Sequence, residues 1–176
     1  YGFDNGFPTT HPAGKRYGGE VGAQAVAELC QEYQYRCAFH TNYVDFYENS
    51  DDWNAADAAL ESDGSQMLGW FNSITEIQSY VIKPTRVQHY AKLYELTIHK
   101  AYQTGGAFLD VHTAVLPGYR TDHDATIPDA GKQIATTKLL RMCNRNKRMM
   151  IAVMMISSRN ACVSVAIVSS ISPLRS

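Results

Sequence analysis

Cysteine is scarce and unpatterned: Cys30, Cys37, Cys143 and Cys162 are the four in 176 residues. None of their spacings is the C-x-x-C of a zinc or redox site, and their density is far below that of a disulfide scaffold, so compartment is left undecided. Long apolar runs are missing too. The longest, Met149 to Ile156, is eight residues, against the roughly 20 that a membrane-spanning helix requires. A basic excess is also absent, with 16 Lys+Arg against 17 Asp+Glu and a net charge of −1, which argues against a dedicated nucleic-acid binder. Phosphate-cradling glycine motifs, a G-x-S-x-G elbow and H-E-x-x-H do not occur, removing the commonest nucleotide, serine-hydrolase and zinc-protease signatures. The chain opens at Tyr1 without an initiator Met or a signal-peptide pattern, so a fragment without its true N-terminus is expected. What remains is an ordinary globular composition, 45% hydrophobic and 19% charged, able to bury a core.

Composition divides the chain near residue 142. The last 35 residues hold Arg145, Lys147, Arg148, Arg159 and Arg175, no Asp or Glu, no aromatic residue, and five of the six Met. Residues 1–141 therefore carry −6. The division expected is a main unit over 1–141 and an atypical basic, Met-rich tail over 142–176, either a genuine apolar element or a frame-shifted or truncated continuation.

Punctuation within 1–141 predicts alternating strands and helices. Residues 1–19 hold five Gly and two Pro and read as loop. Val21, Ala25 and Leu29, with Val26, Cys30 and Tyr33, recur at helical spacing over Glu20–Tyr33. Arg36–Thr41 reads as a short buried strand. Asn42–Lys83 is weakly periodic and rich in Asn, Asp, Ser and Gly. It reads as a long functional or locally structured loop. Pro84 opens a second helix with Val87, Tyr90, Ala91, Tyr94, Ile98 and Ala101 inward, ending before Gly105-Gly106. Ala107–Val111 reads as a second buried strand, Pro117-Gly118 as a turn, and Lys132–Cys143 as a third helix. Strand, loop, helix, strand is the rhythm of a parallel α/β sheet with right-handed crossovers. In such sheets reactive groups gather where strands end.

Asp110 stands at such an end, and a carboxylate finishing the apolar A-F-L-D-V strand is costly to bury unless hydrogen-bonded or functional. His112 points to the same side by strand periodicity. His40, Asn42 and Asp45 follow the first strand, so neighbouring strands would give one polar rim. That cluster suits a polyhydroxylated ligand or, through His40, Asp45, Asp110 and His112, a metal. Residues 41–80 hold seven of the 19 aromatic residues, including Trp53 and Trp70. Such rings either stack on a pyranose face or form the loop's own small core. Arg120, Asp122, His123 and Asp124 follow in Y-R-T-D-H-D, where an acid could work with Asp110 and Arg120 could hold a carboxylate or anchor the loop, the alternative for most of them being a solvated turn.

The motifs Y-G-F-D-N-G-F-P (1–8), H-T-N-Y-V-D-F-Y (40–47), G-W-F-N (69–72), F-L-D-V-H-T-A-V-L-P (108–117) and Y-R-T-D-H-D (119–124) resemble, in order, those of a little-characterised glycoside-hydrolase-like barrel family. Its members are distantly similar to (β/α)8 enzymes of the endo-α-N-acetylgalactosaminidase type. The resemblance covers residues 1–141. It implies Asp110 as catalytic carboxylate, with His40, Asn42, Asp45 and His112 contacting sugar. It also implies a general acid on a later strand, where Ile151–Asn160 carries no Asp or Glu. A complete barrel needs about 250 residues, so the fold expected is a partial TIM-type (β/α)8 barrel fragment.

The function expected is that of a glycosidase-like hydrolase, or an inactive piece of one. Asp110 would be nucleophile or base, and His40, Asn42, Asp45, Trp70, His112, Arg120 and Asp122 would bind substrate. No cofactor is expected, and the partner is a glycan rather than nucleic acid or membrane. The alternatives are a noncatalytic carbohydrate-binding module and a metal-dependent hydrolase built on His40, Asp45, Asp110 and His112.

Overall fold

A computed structural model describes residues 6–112, 121–128, 150–156 and 163–168, the last two stretches as backbone only. In chain order the elements are helix α1 (Gly19–Glu32), strands β1 (Ala38–Thr41), β2 (Asp45–Phe46), β3 (Leu68–Asn72) and β4 (Ile77–Val81), helix α2 (Pro84–Tyr102), and strands β5 (Gly106–Leu109), β6 (Met150–Ile156) and β7 (Val163–Val168).

The longer helix forms where the pattern requires. Pro84 occupies the first turn, where its missing N–H has no intrahelical partner to lose. Val87, Tyr90, Ala91, Tyr94, Ile98 and Tyr102 are buried at helical spacing, and each apolar side chain removed from water contributes roughly 1.5–3 kcal/mol. Gln103 ends the helix in the left-handed conformation, φ 51°, with its N–H donated to the His99 carbonyl.

Helix α1 turns a different face inward from the one its large apolar residues mark. Ala23 and Ala27 are buried, whereas Val21 is 82% exposed and Val26, Leu29 and Tyr33 are also exposed. Small side chains decide the contact because α1 joins the same core as α2 and the N-terminal loop through Ala13, Ala23 and Ala27. Glu20 fixes the orientation. Its Oε1 accepts from the Ala13 N–H at 2.5 Å and from the Tyr102 hydroxyl at 2.7 Å.

Two sheets result. The first has the order β1-β5-β6-β7. β5 lies parallel to both β1 and β6, and β7 returns antiparallel to β6. Ala38 to Thr41 pair with Gly106 to Leu109 in unbroken register, so the two strands end together. β6, which falls largely in the stretch where the resemblance implies a later strand, lies beside β5. The turn at 117–118 and the helix at 132–143 lie outside the described residues.

Residues 42–83, read as a functional or locally structured loop, hold the second sheet. β2, β4 and β3 form an antiparallel sheet in that order, extended by bridges between Ala58 and Ile82 and between Leu60 and Gln66. Close packing at Gly69 makes it possible: a Cβ there would sit 2.3 Å from Ser79 Oγ and 2.9 Å from Asp45 Oδ1. Without one, the Trp70 N–H reaches both oxygens, at 2.7 and 3.3 Å. A shared core of Tyr43, Phe46, Ile82, Val87, Tyr90, Tyr94, Ile98 and Leu109 joins this sheet to α2 and β5.

Candidate active site

The level ends of β1 and β5 place His40 and Asp110 on one rim. His40 Nε2 lies 2.8 Å from Asp110 Oδ2, and both side chains retain about a quarter of their exposure, 27% and 20%. The His40 ring is held between Phe108 at 5.2 Å and, edge-on, Phe7 at 5.4 Å. The second carboxylate oxygen, Oδ1, accepts from the Val111 N–H at 2.8 Å. Burial pushes the Asp110 carboxyl upward, but the hydrogen bond and charge of His40, the Val111 N–H and the nearby His112 outweigh it. The net result is a carboxyl held below its ordinary value. Asp110 is thus a partly open, anionic carboxylate.

The backbone just past it is strained. Val111 has φ 62°, in the left-handed region that a β-branched residue strongly disfavours. Strain of this kind persists where the surroundings over-determine it, and such places cluster at working sites. Here the Asp110 N–H donates to the Thr41 carbonyl at 2.9 Å and the His112 N–H to the Asp110 carbonyl at 2.8 Å, fixing the chain on both sides of the carboxylate.

His112 lies behind the rim. It is buried, and its Nε2 accepts from the Tyr43 N–H at 3.4 Å. Burial lowers its pKa to about 4 against the opposing pull of Asp110, leaving a neutral imidazole at ordinary pH.

Asn42 and Asp45 are buried and turned toward each other. Asn42 Nδ2 donates to Asp45 Oδ2 at 2.6 Å, while Asn42 Oδ1 accepts from the Val44 and Asp45 N–H groups. Asp45 Oδ1 accepts from Ser79 Oγ at 2.7 Å. Together these bonds shape the turn between β1 and β2. The four-residue metal arrangement does not form: among the described residues no three His, Cys, Asp or Glu side chains converge as a metal set. Asp45 is drawn into the second sheet while Asp110 pairs with His40.

Trp70 is 57% exposed on β3, beside Leu68 and Phe71, which are also exposed. Trp53, by contrast, packs at 4.6 Å from Phe46 and 5.3 Å from Tyr80, so those rings form a local core. Asp122 is 1% exposed, with Oδ1 accepting from the Leu60 and Asp124 N–H groups. Arg120 lies outside the described residues.

Sequence reasoning singled out neither of two further buried acids, Asp57 and Glu95. Glu95 on α2 sits behind the rim, its Oε1 accepting from Thr41 Oγ1 at 2.7 Å and from the Tyr43 hydroxyl at 2.8 Å. Burial raises its pKa, partly offset by those two bonds. Its place in the inward stripe, between Tyr94 and Ile98, was the available signal.

No family model and no curated protein matches the chain. Among solved structures the fold is similar to that of a glycosidase, alpha-N-acetylgalactosaminidase NagBb from Bifidobacterium bifidum. The TM-score is 0.68 at 19% identity for its GalNAc complex and 0.67 at 18% identity for its Gal-NHAc-DNJ complex. Each match takes in 85% of this chain and 24% of that one, so the chain spans about a quarter of its neighbour's length. The class this defines is an α/β segment with parallel strands and a glycosidase-like fold.

Proposed function

We propose that the chain is a segment of a carbohydrate-active hydrolase of the (β/α)8 type, with Asp110 as the catalytic nucleophile or base. The substrate class is a glycan bearing an α-linked N-acetylhexosamine, the kind of sugar named in its structural neighbour's complex. The observation that carries this reading is the His40–Asp110 pair, hydrogen-bonded and partly open at the shared end of two parallel strands. A carboxylate kept anionic there can attack an anomeric carbon or take a proton from water. Exposed Trp70 offers a ring face for the sugar's C–H surface.

A noncatalytic glycan-binding role is favoured by a separate observation. Among the described residues, the side chains that lower the Asp110 pKa are His40 and His112, and β6, the next strand, contains no Asp or Glu. Glycosidases ordinarily use two carboxyls.

A chromogenic α-N-acetylgalactosaminide separates the two readings. Hydrolysis that falls by about 10²–10⁴-fold in Asp110→Asn, with an unchanged circular dichroism spectrum, supports catalysis. Turnover untouched by that substitution removes Asp110 from the mechanism. Glycan binding weakened by Trp70→Ala, with no product released by the native chain, establishes binding alone.

A further inference from the structure

A buried acid outside the reacting pair lies behind the ends of both strands. Thr41 is the last residue of β1 and Tyr43 lies two positions further on; both donate side-chain hydroxyls to one oxygen of Glu95, 54 and 52 residues onward on α2. The same two residues hold the end of β5. The Thr41 carbonyl accepts the Asp110 N–H, and the Tyr43 N–H reaches His112 Nε2. We propose that Glu95 is a positioning residue, which sets the Asp110–Val111–His112 turn from α2 by way of Thr41 and Tyr43. This inference rests on the functional reading of that rim given above.

The chemistry of the contact says what can replace it. Both hydroxyls converge on Oε1, so one carbonyl-type oxygen with two lone pairs is sufficient. A glutamine supplies that oxygen, and leucine removes it while keeping similar bulk. Leucine also removes the acceptor that the two hydroxyls share and leaves Thr41 Oγ1 with the Phe108 carbonyl at 3.2 Å, which loosens the coupling of the Thr41–Tyr43 segment to α2. Tyr43→Phe is the milder variant, deleting one of the two donors and leaving the ring in the core.

The test reads the imidazoles directly in the whole chain. In long-range ¹H–¹⁵N spectra the native protein is expected to show His112 in the Nδ1–H tautomer, since Nε2 accepts a hydrogen bond. Glu95→Gln is expected to keep that pattern, whereas Glu95→Leu and Tyr43→Phe lose it and their His112 titrates nearer the ordinary 6.5. Where hydrolysis is measurable, kcat is expected to fall roughly 10- to 100-fold in Glu95→Leu with KM little changed, and Gln is expected to restore it. Native His112 and His40 signals in a folded Glu95→Leu or Tyr43→Phe chain would overturn the proposal. If Glu95→Leu does not fold, Tyr43→Phe alone decides. Loss of the glycosidase reading shows itself differently, as absent turnover in the native chain with the imidazole shifts still dependent on Glu95.

Discussion

At the scale of single residues, the protonation of His112 sets an acid limit on the fold. Its folded pKa of about 4 lies below the value near 6.5 of an exposed imidazole. Between those values the unfolded chain binds a proton that the native chain refuses, so stability falls as pH drops from 6.5 toward 4. The loss at the lower end is roughly 3 kcal/mol. Asp110 acts in the same sense lower down. Its folded pKa is depressed, so the stability it lends is present above the ordinary carboxylate range and is lost as pH falls through its own value. Urea melts at pH 7, 5.5 and 4.5 are expected to show a falling midpoint, and His112→Gln is expected to flatten the decline between pH 6.5 and 4.5. An equal slope in both proteins would mean that another group titrates there. None of this was legible in the sequence, where a histidine three positions beyond the end of β5 reads equally as a solvated loop residue. Tyr43 and the core behind it decide the matter.

Among elements, legibility followed periodicity. α2 was plain because its buried positions keep the helical interval from Val87 to Tyr102 and Pro84 marks its start. β1 and β5 were plain because each is a short apolar run ending in polar residues. The second sheet was hidden for physical reasons. β2 is two residues long, and the β3–β4 register shifts between Leu68 and Phe71, leaving Leu68, Trp70 and Phe71 all exposed and erasing the two-residue alternation. α1 misled because its larger apolar residues face outward while Ala23 and Ala27 make the contact. The narrowest point of the second sheet is Gly69. Gly69→Ala is expected to cost about 1–3 kcal/mol, since Ser79 Oγ and Asp45 Oδ1 must both retreat from the new methyl. Chemical denaturation measures the loss; a shift under about 0.3 kcal/mol would show that Ser79 and Asp45 give way freely.

For the whole molecule, the segment beyond β5 matters as a fastener. Residues 121–128 reach across to the second sheet, where the Leu60 N–H donates to Asp122 Oδ1 at 2.9 Å and the His123 N–H to the Leu60 carbonyl. Lys83 Nζ meets Asp124 Oδ2 at 2.5 Å nearby. Asp122→Ala removes a buried acceptor of two backbone N–H groups and is expected to lower stability by about 1–3 kcal/mol. Asp122→Asn keeps that oxygen and is expected to lose less. Comparing their thermal midpoints with that of the native chain, alongside glycan binding, separates a fastener from a sugar ligand; binding abolished in a fully stable Asp122→Ala chain would assign Asp122 to the ligand.

His40 and Asp110 stand 70 positions apart along the polypeptide, with α2 and the entire second sheet strung between them. A chain that stops within that interval keeps the imidazole and lacks the acid. The imidazole–carboxylate contact therefore belongs only to a chain that has brought β1 and β5 side by side across that interval.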